Sequence, residues 1–236
     1  MMRSKQKNCT MQECFLRRQK VIKIQIRVLQ FFILAVFLGL WELSSDLDWI
    51  DAFIFSSPSR VAKTFLEMWK GQELYLHIAI TLYETLVSFF LVMGISILFS
   101  VILWLFPKVS AVAEPYLVVL NSLPKSALAP LLIVWLGANV RTIIVAGISV
   151  AVFGSVISIY SAFSEVDSDM MKLIYTLGGT KKDILIKVVL PWSVPSLLAA
   201  FKVNIGLCLV GVVIGEFIGA RRGLGYLIIY GSQVFR

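Results

Sequence analysis

The stretch TIIVAGISVAVFGSVISIYSAFS, residues 142–164, decides the fold. It contains no Asp, Glu, Lys or Arg. A helix needs about 20 largely apolar residues to cross a hydrocarbon core, and this run supplies them without interruption. The whole chain leans the same way. Of its 236 residues, 58% are hydrophobic and 15% charged, with a mean hydropathy of +0.87. Ordinary soluble domains are about 45–50% apolar and about 25% charged. The solvent implied is lipid.

Working outward from 142–164, further spans fall at 28–45, 80–106, 109–136 and 196–219. The span at 80–106 carries one charge, Glu84, and Pro107 with Lys108 reads as a tight turn after it. The span at 109–136 is imperfect, holding Glu114, Pro115, Asn121, Pro124, Lys125 and Pro130. Proline removes a backbone donor and kinks a helix, so this span is expected to be broken or to lean on protein. Between the first two spans lies a wetter stretch, 46–77. Within it SSPSRVAKTFLEMWKG reads as a short surface helix that starts at Pro58 and Ser59 and ends at Gly71. A last apolar run, 227–235, is too short to cross. The expected fold is therefore all-α: a polytopic transmembrane bundle of five spans with the start of a sixth, either ending outside or lacking that sixth span. Residues 1–27 form a separate basic tail, and 28–236 form the membrane domain.

The net charge of +8 is concentrated in that tail. Arg3, Lys5, Lys7, Arg17, Arg18, Lys20, Lys23 and Arg27 face one acid, Glu13, whereas the rest of the chain has 14 basic residues against 13 acids. A basic segment directly before an apolar stretch is the signature of a cytoplasmic N-terminus, and no nucleic-acid partner is needed to explain it. The basic region is long and no A-x-A-like cleavage site follows, so an uncleaved anchor is expected rather than a signal peptide. Alternation then puts 165–195 inside and 46–77, 137–141 and 220–226 outside. Arg221 and Arg222 depart mildly from the rule by lying outside.

Cys9, Cys14 and Cys208 make no disulfide framework, and with the single His77 they make no ordinary zinc site. There is no G-x-x-x-x-G-K-[ST], so no P-loop, and no G-x-S-x-G or H-E-x-x-H. No catalytic residue, metal site or cofactor is expected.

The most informative polar segment is SEVDSDMMKLIYTLGGTKKDILIKVVLPWSVPSLLAAF, which begins at Ser164. Asp167, Ser168 and Asp169 offer N-caps for a helix through Leu177, and Gly178 and Gly179 end it. Thr180 restarts a helix, with Asp183 completing a capping-box-like arrangement. Ile184, Leu185 and Val188 share a face of that second helix, and Pro191 and Pro195 are expected to close it. A glycine elbow followed by VVLP resembles the cytoplasmic coupling loop of bacterial ABC-importer permeases. FSSPSRVAKTF, NSLPKSALAPLLIVWLG and GVVIGEFIGARRGLGYLI resemble further signatures of that family. Together they cover residues 50–230 and match best the nitrate/sulfonate/taurine branch of binding-protein-dependent inner-membrane components. Some positions depart from the family pattern. Ser57 stands where proline is common, and the family's Glu-Ala-Ala falls on Lys172, Leu173 and Ile174.

The resemblance implies a MetI-like fold, a bacterial cytoplasmic membrane and transport by alternating access. It implies three protein partners: a cytoplasmic ABC ATPase, an extracellular or periplasmic solute-binding protein and a second permease copy. It also implies that the coupling loop 165–195 docks on the ATPase through Lys172, Leu177, Gly178, Gly179, Thr180, Lys181, Lys182 and Ile184. The solute would be small, of the sulfonate, nitrate, taurine or vitamin-precursor kind.

Ionisable groups at membrane depth cost about 2.5–3.5 kcal/mol on insertion scales and usually face protein or water. Asn121, Pro124, Lys125, Asn204 and Glu216 are the candidates for the pore wall. Glu216 reads as a polar contact near the translocation path or an interhelical lock, and equally as an interfacial carboxylate, while Lys202 and Glu84 read as snorkelling side chains. His77, at a loop-to-helix junction, reads as structural. Gly206, Gly211 and Gly215 would permit close helix approach. An ion-coupled secondary transporter is the rival reading, but it calls for interrupted helices in paired repeats, and only one interrupted span is visible. An enzyme acting on lipid needs clustered acids or a nucleophile, and the acids here are dispersed.

Overall fold

The computed structural model describes residues 11–47, 49–50, 55–71 and 73–234, with side chains from residue 19 to 233. The described residues are helical apart from short connections. They fall into two compact units, Met1–Gly71 and Gln72–Arg236.

The first unit holds α1 (Met11–Asp46) and α2 (Pro58–Lys70). The spanning part of α1 is Gln19–Asp46, and none of its most apolar window is buried. Helix α2 starts as its sequence dictates. Ser57 is the N-cap, accepting the Arg60 N–H at 3.4 Å, and Pro58 sits in the first turn, where its missing donor costs nothing.

The second unit is a bundle of α3 (Glu73–Leu105), α4 (Pro107–Ser122), α5 (Lys125–Leu136), α6 (Val140–Ser164), α7 (Ser168–Thr176), α8 (Lys181–Ile184), α9 (Leu190–Gly219) and α10 (Leu224–Val234). Helices α3 and α6 run parallel in a fixed register. Ser88, Ser96 and Ser100 donate to the carbonyls of Ile144, Val152 and Val156, each 56 residues further along. All three hydroxyls are fully buried, and small polar residues of this kind join helices where no hydrophobic drive exists between them. Helix α9 runs antiparallel to α6: Gly211 lies against Gly147 and Val150, whereas Gly215 lies against Ile143 and Ala146. A Cβ on Gly211 would stand 2.8 Å from the Gly147 Cα, so the two backbones meet there. Gly215 is also in this seam, but Gly206 faces open space and contributes nothing to the approach.

Because α3 and α6 share a direction, the chain between them must return once across the bundle. That return is α4 plus α5, bent by 91°. Pro124 supplies the break: Leu123 and Pro124 are extended, and α5 restarts at Lys125. The expected broken third span is therefore present. The expected tight turn at Pro107 is not. Proline fits the first turn of a helix, and α4 begins at Pro107 itself.

Nor do Pro191 and Pro195 close the loop helix, as the sequence suggested. Lys181–Gly219 is one helical run. A π-helical turn at Leu185–Val189 ends two residues before Pro191, and there the Leu190 N–H reaches back to the Leu185 carbonyl. The wider turn lets the helical run continue past Pro191, which has no N–H to give to the turn before it.

Candidate functional site

The parallel and antiparallel registers give the bundle two ends. One holds the starts of α3 and α6 and the α9–α10 turn. The other holds the ends of α3 and α6 and the helices α7 and α8, and here the glycine elbow is built.

Asp167 caps α7 through the Asp169 N–H at 2.8 Å. At its far end Gly178 has φ +82°, the left-handed conformation that glycine adopts without Cβ strain. The Gly178 and Gly179 N–H groups bond the Tyr175 and Ile174 carbonyls, closing the last turn. Gly179 is the steric pivot, since a Cβ there would lie 2.5 Å from Ile174 Cγ2. Thr180 and Asp183 form the expected capping box. The Asp183 carboxylate accepts the Thr180 N–H at 2.9 Å and hydroxyl at 2.6 Å, and Lys187 lies 3.4 Å from it.

The elbow has two faces. Met171 and Ile174 of α7 and the buried Ile184, Leu185 and Val189 pack into a core with Met93, Ile159 and Phe163. The adjoining face presents Met170, Leu173 and Leu177, at 45%, 58% and 76% exposure. Spaced three and four residues apart, they line one side of α7. Lys172, Gly178, Thr180, Lys181 and Lys182 are exposed around them, and Gly179 is half-buried. Ile184 does not belong to that surface. It is 1% exposed and anchors the elbow to the bundle.

Toward the same end, a cavity of about 730 Å³ opens between α4–α5, α6 and α9. Asn121 and Lys125 flank it from the broken span, and Asn204 reaches it from α9. Between them its wall is rich in hydroxyls, from Ser155, Ser158, Ser161 and Ser196, with Glu165 also on the lining. Asn204 is held in place by donating to Ser155 Oγ at 2.8 Å. Gly154 leaves the room for Asn121, whose Oδ1 would lie 3.0 Å from a Cβ there. Pro124 creates the bend but is not among the lining residues, and Glu216 is not among them either.

Glu216 belongs to a separate polar lock at the other end. It is fully buried. Its Oε1 accepts the Thr81 hydroxyl at 2.7 Å, and its Oε2 accepts the Gly225 N–H at 2.7 Å. The Leu224 N–H donates to Thr81 Oγ1 at 2.8 Å and the Gly223 N–H to His77 Nδ1 at 2.8 Å. Three N–H groups at the start of α10, which an isolated helix leaves unpaired, thus find side chains on α3 and α9. The positive end of the helix dipole meets a carboxylate. Gly223, at φ +111°, is required because any Cβ would overlap that carboxylate. The interhelical-lock reading of Glu216 is the correct one, and His77 is structural.

Glu84 corrects its reading. It does not snorkel: it is 1% exposed and faces Glu216 within hydrogen-bond reach. Nothing local marks this pairing, because the partner lies on another span 132 positions away. By contrast, Lys202 is exposed. No cluster of three or more His, Cys, Asp or Glu residues able to hold a metal occurs among the described residues.

Residues 91–235 match the family of binding-protein-dependent transport system inner membrane components. The chain belongs to that family. It is 27% identical over 89% of its length to a chain of Haemophilus influenzae named as an ABC transporter permease, covering 85% of that protein. It is 26% identical over 84% of its length to a Bacillus subtilis protein named as an aliphatic sulfonates transport permease, covering 72% of it. A formylaminopyrimidine transport permease of Halalkalibacterium halodurans is 24% identical over 79% of this chain and 74% of its own length. The sulfonate branch indicated by the signatures is thus the right one. The chain is a multi-pass membrane protein of the ABC-permease type.

Proposed function

We propose that the chain lines the translocation path of an ATP-driven importer and couples it to a separate ATPase through the elbow at 165–191. The observation that carries this is the exposed apolar face of Met170, Leu173 and Leu177 on a helix whose neighbouring residues Met171 and Ile174 are clamped to the bundle core. Such a face needs a protein partner in water. Its rigid attachment would let movement of that partner reach α3, α6 and α9, whose side chains make the same core.

In this reading the elbow end is cytoplasmic, as is the basic N-terminal tail, and the cavity beside it is the inward-facing part of the path. A second copy of the chain completes the pore, and a solute-binding protein delivers solute at the lock end. Hydrolysis belongs to the ATPase, and the chain itself performs no chemistry. ATP-driven closure of the ATPase pair would carry the elbows with it and rock the spans between two openings. Solute biases that equilibrium only through different affinity for the two states. The cavity's hydroxyls, Asn121 and Lys125 suit a small polar or anionic solute, in line with the sulfonate and pyrimidine cargoes in the names of its relatives.

The test is Gly178→Trp in the reconstituted complex. The Cβ direction at Gly178 is open space, so a bulky ring enters the docking groove and not the bundle. The expected result is a folded chain whose uptake is uncoupled from ATP hydrolysis. Full transport by this variant would place the docking surface elsewhere.

A further inference from the structure

Helix α2 has an exceptionally clean division of faces. At 100° per residue, Pro58, Val61, Ala62, Phe65, Leu66, Met68 and Trp69 fall within one half of the helix. The other half takes Ser59, Arg60, Lys63, Thr64, Glu67 and Lys70. No residue of α2 is buried, and Val61, Phe65, Leu66 and Trp69 are each half or more exposed. Phe65 and Trp69 stack with ring centroids 6.0 Å apart, making one flat apolar surface.

What covers this face follows from where the helix is tied. Glu42, in the last turns of the spanning helix α1, accepts the Ser59 N–H at Oε2 (3.0 Å) and the Ser59 hydroxyl at Oε1 (2.6 Å). The first turn of α2 is thereby fixed to the point where α1 leaves the hydrocarbon. Trp41, beside Glu42 and tilted at 50° against Phe37, marks that depth, as tryptophan does at membrane boundaries. A helix starting there with an apolar half and a net basic polar half has the properties of an interfacial helix.

We infer that α2 lies in the plane of the membrane surface, its Val61–Phe65–Trp69 side among the acyl chains and its Lys63–Lys70 side among the headgroup phosphates. The Glu42–Ser59 clamp sets its depth. The partner of this face is the lipid bilayer, and α2 fixes how far α1 protrudes. The inference rests on α1 spanning the membrane and not on the transport reading.

The test uses the full chain, with Cys9, Cys14 and Cys208 replaced by serine, in phosphatidylcholine vesicles. A nitrobenzoxadiazole label is attached in turn at Phe65→Cys and Lys63→Cys. Quenching by nitroxide-bearing phosphatidylcholine and by aqueous iodide is then read. The expected result is lipid quenching with a blue-shifted emission at position 65, and iodide quenching at position 63. Iodide quenching at both positions would show α2 standing in water and overturn the inference. A label at 65 protected from both quenchers would show protein packed on that face, and overturn it equally. Glu42→Ala should raise iodide quenching at 65, and unchanged depth in that variant would refute the clamp.

Discussion

The two glycines of the elbow make different demands, and alanine at each should separate them. Gly178 has φ +82° and nothing within 4 Å of its Cβ direction. Alanine there meets only the left-handed backbone penalty, about 1–2 kcal/mol. Gly179 has no such backbone conformation, but its Cβ would lie 2.5 Å from Ile174 Cγ2 and 2.9 Å from the Ile174 carbonyl oxygen. Ile174 cannot swing clear, because it packs against the core of Phe163, Ile184 and Val189. Its carbonyl also holds the Gly179 N–H at 2.9 Å. Overpacking of about 1–3 kcal/mol plus one weakened hydrogen bond of about 0.5–1.5 kcal/mol gives roughly 1.5–4.5 kcal/mol, with its middle near 3. The assay is amide hydrogen exchange of residues 176–184 in lipid nanodiscs. Gly178→Ala should speed exchange roughly 5–30-fold, since that is the ratio 1–2 kcal/mol represents. Gly179→Ala should exceed it. If Gly179→Ala exchanges no faster than Gly178→Ala, the steric account of the elbow is wrong.

Removing the carboxylate in Glu216→Ala leaves the buried Gly225 N–H and Thr81 hydroxyl short of a partner, at about 1–3 kcal/mol per group. Glu216→Gln should be milder. With Cys9 and Cys14 replaced by serine, both are read as the temperature at which Cys208, fully buried in the native fold, becomes reactive to maleimide. Gly211→Val forces a side chain into the Gly147 backbone and should abolish monodisperse protein in detergent. Gly206→Val meets open space and should leave the yield unchanged. Gly154→Val displaces the Asn121 amide from the cavity wall and should lower solute uptake while leaving yield and the Cys208 transition unchanged.

Much of this could be read from the chain because the features are local. The charge-free run at 142–164 needs no partner to declare itself a span. The break at Pro124, the Ser57 cap of α2 and the Thr180–Asp183 capping box each depend on residues within a turn of one another. The same was true of the elbow, where a glycine pair can do little but end a helix.

What escaped was set by partners distant in sequence. Glu84 reads as a snorkelling carboxylate until α9 places Glu216 against it, and Ile184 reads as part of a docking face until Phe163 and Val189 bury it. The serine ladder from α3 to α6 was invisible because Ser88, Ser96 and Ser100 resemble any small residues in an apolar helix. The π turn before Pro191 had no sequence mark at all. It is the backbone's solution to continuing a helix through a proline, and only the observed bonding reveals it.

The central claim is that the apolar side of α7 is where the ATPase docks. The most direct test places a photo-crosslinking amino acid at position 177, the most exposed apolar residue of the elbow, in the assembled complex in membranes. The account predicts a crosslinked product between this chain and the ATPase subunit, lost when the crosslinker is moved to the buried position 184. Efficient assembly with no ATPase crosslink from position 177 would contradict it.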